Sequence, residues 1–246
     1  MKLIEAEDPE DLGRKARDVV IGVLRAKPAS LITLATGNTP VPMFRELAAI
    51  ARTDPRLFHQ AQFVTLDEYA DIRSDDRRRL LSWLNREFTS PAGIDQQRII
   101  AFDPAADYLS ECARIEDAIA EHGGLDLAVL GLGPNGHIGF NEPGSSFASR
   151  TRKVTLAAES IRSNAVYWGS EADVPRSGLT LGIRTLREAR SILLLASGAG
   201  KAAIVARLMQ EPVGEALPAS VLRLCDSAFL LADRAALANV DRLKRS

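Results

Sequence analysis

The sequence predicts a Rossmann-like α/β fold, a three-layer sandwich in which a mostly parallel sheet carries helices on both faces. Three observations predict it. Short apolar runs alternate along the chain with longer stretches of helical periodicity. The runs are continuously apolar rather than apolar on every second residue, as strands covered on both faces require. No linker, low-complexity tract or internal repeat interrupts the alternation, so residues 1–246 read as a single domain.

A helical stretch near 8–26 leads to the strand SLITLAT (30–36), and a second over 40–52 leads to QFVTLD (62–67). Helical periodicity near 77–88 precedes RIIAFD (98–103), and a stretch near 106–122 precedes LDLAVLGLG (125–133). The strands KVTLA (153–157), GLTLGI (178–183), SILLLAS (191–197) and AFLLAD (228–233) follow, set among helical stretches near 158–168, 200–210 and 234–244. Buried strands separated by helices imply crossover connections and hence parallel pairing.

Composition narrows the function. Apolar residues make up 46% of the chain and charged residues 26%, ordinary proportions for a globular protein with a sizeable core. The formal net charge is −1 and the cations are scattered, which argues against a nucleic-acid partner. The basic runs DDRRRLL and RLKRS read as solvated faces. Cys112 and Cys225 are the only cysteines and lie far apart, without a His/Cys cluster, so neither a disulfide framework nor a zinc site is expected. The N-terminus turns acidic too early for a signal peptide and no apolar run reaches membrane-spanning length, so a cytoplasmic protein with no membrane partner is expected.

In a parallel sheet, ligands bind beyond the carboxyl ends of the strands. There the chain delivers TGNTP after the first predicted strand, DEY after the second, GLGPNGHIGFNEPG after the fourth, and SGAGK after the strand at 191–197. The first six letters of the long block, Gly131 to Gly136, have the G-x-G-x-x-G spacing of a dinucleotide loop. That reading fails on context. A dinucleotide loop must open a helix whose N-terminus holds the pyrophosphate, and Pro143 and Gly144 leave no room for one. The acidic residue expected about 20 residues on, at the end of a second strand, is absent as well.

The block reads instead as a catalytic loop around His137, with Asn135 and Glu142 close in sequence. A lone histidine is as readily a packing residue as a catalyst. Two polar neighbours in a glycine-rich loop at the strand ends tip the reading toward acid/base chemistry near neutral pH. Thr36, Gly37, Asn38 and Thr39 precede a helix beginning near Pro40, so their N–H groups and hydroxyls suit an anion, although a plain capped turn has the same pattern. The acidic pair Asp67 and Glu68 is, on sequence alone, more readily a helix cap or surface charge. Lys201 follows SGAG without the spacing of a Walker loop.

Five segments together resemble the isomerising glucosamine-6-phosphate deaminase family, part of a superfamily that includes 6-phosphogluconolactonases. They are LATGNTPVPMFREL (34–47), VTLDEYA (64–70), LGLGPNGHIGFNEPGSSFASRTR (130–152), VPRSGLTLGI (174–183) and SGAGKA (197–202). The letters after the histidine, FNEPGSS, point to the deaminase branch. The resemblance implies conversion of glucosamine 6-phosphate and water to fructose 6-phosphate and ammonia, with no metal or organic cofactor. It implies that His137, held by Glu142 and Asn135, opens the sugar ring and that Asp67 is the base at C2. It also implies that Thr36, Gly37, Asn38, Thr39 and Gly136 contact the sugar phosphate, and that Arg176 and Lys201 are its cations. The partner is then a small-molecule sugar phosphate. Family members differ in oligomeric state, so a homo-oligomer is within the expectation.

Three departures qualify the resemblance. Asn135 stands where parts of the family carry Asp, so it can orient His137 but adds no charge. The segment after Tyr69, ADIRSDDRRRLLSWLNREF, lacks the Ser-Tyr pair usual in the family and leaves a galactosamine 6-phosphate or related substrate open. Ser145, Ser146 and Arg152 match positions used for allosteric activation by N-acetylglucosamine 6-phosphate, but Val154 replaces an expected Lys, so strong activation is not expected. Two rival readings are a lactonase-type hydrolase and a sugar-phosphate sensor. Asp67 with Glu142 argues against the first. The short stretch before residue 30, with no room for a DNA-binding helix pair, argues against the second.

Overall fold

Burial on two faces organises the molecule. A computed structural model describes residues 1–243. In it, seven strands pair in the order β1-β10-β9-β6-β2-β3-β5, all parallel: β1 (Lys2–Ala6), β2 (Leu31–Leu34), β3 (Gln62–Thr65), β5 (Ile99–Ile100), β6 (Leu127–Gly131), β9 (Ile192–Ala196) and β10 (Ala228–Asp233). Successive side chains of a strand point to opposite faces, and the two core clusters divide accordingly. Ile32, Phe63, Val129 and Leu193 face α1 (Pro9–Ala26) and α2 (Val41–Thr53). Leu31, Val64, Leu130 and Leu194 face α4 (Tyr108–Glu121), α7 (Ala202–Gln210) and α8 (Arg234–Leu243). This is the predicted α/β sandwich. The last residue of the helix expected over 234–244, and the end of the RLKRS run, lie outside the described residues.

The parallel reading fails for three strands. β4 (Asp67–Tyr69), β8 (Ser177–Thr180) and β7 (Arg152–Thr155) form a separate antiparallel sheet in the order β4-β8-β7. The predicted strand QFVTLD is thus two strands, broken at Leu66, whose carbonyl accepts the N–H of Leu181 instead of continuing the large sheet. A third cluster, formed by Tyr69, Phe140, Leu156, Ile161, Trp168 and Val174, packs the small sheet against α5 (Ala158–Trp168). β1 goes unpredicted because its short apolar stretch is flanked by Lys2 and Glu5 and it is an edge strand, paired with β10 alone.

The helix expected over 77–88 is α3 (Leu80–Leu84) continued by one wider π-helical turn, Asn85–Thr89. It starts late because Asp76 to Arg79 form a turn, closed by the Arg79 N–H on the Asp76 carbonyl. The DDRRRLL run is not a solvated face throughout. Arg79 is buried in an ion pair with Glu68, Nε to Oε2 at 3.2 Å, and also donates to the carbonyls of Ser74 and Phe102. A charge run hides such a residue because sequence gives no sign of the buried carboxylate that receives it.

Candidate active site

The carboxyl ends of β2, β3, β6 and β9 open on a cavity of about 450 Å³. Thr36, Gly37, Asn38 and Thr39 line it from the turn between β2 and α2; Gly37 has φ +93°, a left-handed conformation that suits glycine. Lys201 lines it from the start of α7 and donates from Nζ to the Leu132 carbonyl at 2.7 Å. Burial pushes the Lys201 ammonium below its ordinary pKa.

Asp67 and Tyr69 alternate with Glu68 along β4, so the first and third line the cavity while the second turns away. Glu68 is saturated: it accepts the N–H groups of Tyr69, Leu80 and Leu81 as well as the Arg79 guanidinium. Asp67 is the opposite. It is 6% exposed and its Oδ1 has no hydrogen-bond partner among the described residues. Burial, and secondarily the neighbouring charge of Glu68, push the Asp67 carboxyl up to about 8.

His137 meets the cavity from the loop after β6. Its Nδ1 lies 3.1 Å from Ser160 Oγ on α5 and 3.4 Å from Glu142 Oε2. Asn135 ties the loop together by accepting the His137 N–H at 3.2 Å and donating from Nδ2 to Glu142 Oε2 at 2.9 Å. The other Glu142 oxygen accepts the Ala157 N–H. Burial alone would raise the Glu142 carboxyl, but the bonds from His137, Ser160 and Asn135 outweigh it and hold it at about 2. Glu142 is therefore ionised and favours the proton on Nδ1, which leaves Nε2 as the basic nitrogen. The imidazole packs directly over Gly133, where a Cβ would stand 2.2 Å from Nε2.

Known proteins decide what this arrangement belongs to. The model of the family of glucosamine-6-phosphate isomerases/6-phosphogluconolactonase matches residues 7–230. The chain belongs to this family. It is 40% identical over 246 residues to a glucosamine-6-phosphate deaminase of Geobacillus sp. (strain WCH70), covering 100% of this chain and 98% of that one. It is 39% identical over 239 residues to glucosamine-6-phosphate deaminase 1 of Bacillus subtilis (strain 168), covering 96% and 98%. Among solved structures it matches a monomeric glucosamine-6-phosphate deaminase at TM-score 0.93 and 38% identity, covering 97% of this chain and 100% of that one. A 6-phosphogluconolactonase from Thermotoga maritima shares the fold at TM-score 0.74 and 22% identity, covering 94% and 98%.

Within this isomerase/lactonase family member, one cavity gathers Thr36, Gly37, Asn38, Thr39, Asp67, His137 and Lys201. Asn135 and Glu142 stand behind His137 rather than in the cavity. Two expected contacts are not brought in. Gly136 is buried beneath the loop at φ +89°, its missing Cβ leaving room for Leu217, and its carbonyl accepts the Ala219 N–H. Arg176 is exposed at the rim of the small sheet, where its carbonyl accepts the Leu156 N–H. Sequence reasoning missed the far wall. Ser163, Asn164, Tyr167 and Trp168 of α5 line the cavity, with Arg78, Leu80 and Trp83 from the segment after β4. A signal was present for α5: Ser160, Ser163 or Asn164, and Tyr167 recur at helical spacing on one face. No helix of the described residues is long and apolar enough to cross a membrane.

Proposed function

We propose that this chain is a glucosamine-6-phosphate deaminase, turning glucosamine 6-phosphate and water into fructose 6-phosphate and ammonia. The observation that carries the reading is a pair of groups in one cavity: a buried Asp67 carboxylate with an unpartnered oxygen, and a His137 whose Nδ1 is engaged so that Nε2 is free for acid/base work.

The sugar arrives as a ring with no free carbonyl. His137 Nε2 takes the proton from O1 and returns one to O5, which breaks the C1–O5 bond and exposes the C1 aldehyde. Asp67 then removes the C2 proton. The C2–H electron pair forms the C1–C2 double bond and the carbonyl pair moves to O1, which takes a proton from the substrate's C2 ammonium, giving an enolamine. Asp67 returns its proton to C1 to yield the ketimine, water adds at C2, and ammonia leaves as the C2 carbonyl forms. Weak solvation makes Asp67 a stronger base than an exposed carboxylate. The hydroxyls and N–H groups of Thr36 to Thr39, at the start of α2, and the Lys201 ammonium take the phosphate. All these groups lie in one chain, so the chemistry needs no second copy.

Ammonia release from the purified protein given glucosamine 6-phosphate tests the reading, with galactosamine 6-phosphate and 6-phosphogluconolactone in parallel. Turnover of the glucosamine ester, lost in Asp67→Asn and His137→Gln, is the expected result. The galactosamine arm is included because Arg78, Leu80 and Trp83, from the segment that departs from the family pattern, form part of the cavity wall. Hydrolysis of the lactone alone would overturn the deaminase reading.

A further inference from the structure

Two side chains approach Nδ1 of His137, and the nearer is not the carboxylate. Ser160 is fully buried on α5, and its Oγ stands 3.1 Å from Nδ1, a hydrogen-bond distance. Glu142 Oε2 stands 3.4 Å from the same nitrogen, beyond the usual range for such a bond. The Asn135 side chain bonds the His137 backbone N–H and Glu142 Oε2, not the ring.

A serine hydroxyl has one proton to donate and two lone pairs with which to accept. Were Nδ1 bare, it and the ionised Glu142 would face each other as two acceptors and compete for the single Ser160 proton. With the proton on Nδ1 the conflict disappears: Nδ1–H donates to Ser160 Oγ, and the serine proton passes on to Glu142. Ser160 is indeed among the groups that hold the Glu142 carboxyl low, after His137.

Ser160 also lies in the first turn of α5, and Glu142 Oε1 accepts the N–H of Ala157, the residue at the head of that helix. A carboxylate is favoured at a helix N-terminus. Glu142 and Ser160 together therefore fasten α5 to the catalytic loop. Further along the same helix, Asn164, Tyr167 and Trp168 line the cavity.

We infer that Ser160 is a positioning residue: its hydroxyl links His137 Nδ1 to Glu142, fixes the tautomer and plane of the imidazole, and keeps the α5 wall in register with the ring. This rests on the reading of His137 as the acid/base that opens the sugar.

The test combines kcat and KM for glucosamine 6-phosphate with the imidazole nitrogen NMR shifts of His137, identified by their absence in His137→Gln. Wild type, Ser160→Ala and Glu159→Ala are compared at a pH where the imidazole is neutral. Alanine suits a helix, so Ser160→Ala keeps the fold. It is expected to lower kcat by about 10- to 100-fold with KM changed less than about threefold. That loss is smaller than the roughly 10⁴-fold cost of replacing the orienting carboxylate of a catalytic triad, because Glu142 remains. The two nitrogen resonances, widely separated in the wild type, should move toward each other in Ser160→Ala as the tautomers mix. Glu159→Ala, an exposed change in the same helical turn, should leave both readouts near wild type. Unchanged kcat in Ser160→Ala would overturn the assignment, and so would unchanged imidazole shifts. An equal loss in Glu159→Ala would also overturn it, by tracing the effect to the helix rather than the hydroxyl. The shifts are read without turnover. A protein that released no ammonia yet showed the Ser160-dependent shift would sustain this assignment while the deaminase reading fell.

Discussion

Asp67, in the cavity, and Glu142, behind His137, are pushed in opposite directions. Asp67, with Oδ1 unpartnered, is raised by burial to about 8, whereas Glu142 is held at about 2 by His137, Ser160 and Asn135. A base works only when ionised, so kcat/KM should climb as pH rises and level off above about 8, falling by about tenfold per unit below that. A pH profile of ammonia release checks this. The same raised pKa has a stability consequence of definite sign. Below the unfolded value near 4 the protonated Asp67 costs nothing, and the penalty of burying the charge grows until pH passes about 8. Asp67→Asn is therefore expected to abolish turnover yet raise stability by about 1–2 kcal/mol at neutral pH, with no gain near pH 4. Thermal melts at the two pH values measure it. Gly133→Ala makes a complementary case, since the new methyl would stand 2.2 Å from the His137 ring. It should lower kcat by about 10²-fold or more while the far-ultraviolet circular dichroism stays unchanged.

β4 and α3 are joined by the Glu68–Arg79 pair, whose side chains are 1% and 9% exposed. Arg79→Met would strand the Glu68 carboxylate in the interior and should cost about 3–5 kcal/mol in urea unfolding. Substituting both members, with Glu68→Gln added, should recover part of that loss. This pair also marks where sequence stops being legible. The buried strands β2, β6, β9 and β10 stand out because each is a mostly apolar run with no competing pattern. His137, Glu142 and Asn135 stand out because neighbours in sequence are neighbours in space. The pairing of β4 with β8, more than a hundred residues on, and the role of Ser160 behind His137 depend on long-range contacts with no local signature. Arg176, exposed at the edge of the small sheet, shows the converse, since a cation beside a strand carries no mark of which way it points.

At the scale of the whole molecule, the two ends of the large sheet do different work. The carboxyl ends carry the cavity, while the amino ends are fastened by Asp126, which accepts the Leu31 N–H and pairs with Lys27 and Arg190. Asp126→Asn should lower stability by about 1–3 kcal/mol and leave KM for the sugar phosphate unchanged. Denaturant titration and steady-state kinetics on one variant separate the two effects. A further consequence follows from the break at Leu66. The Thr36–Thr39 turn, proposed to hold the phosphate, and Lys201 follow strands of the seven-stranded sheet, whereas Asp67 begins the three-stranded one. Anchor and reagent are thus mounted on separate plates joined at one residue. A lineage built on this plan can hold its grip on a charged tail constant and exchange the chemistry performed on the head, because the two are not cast in one piece.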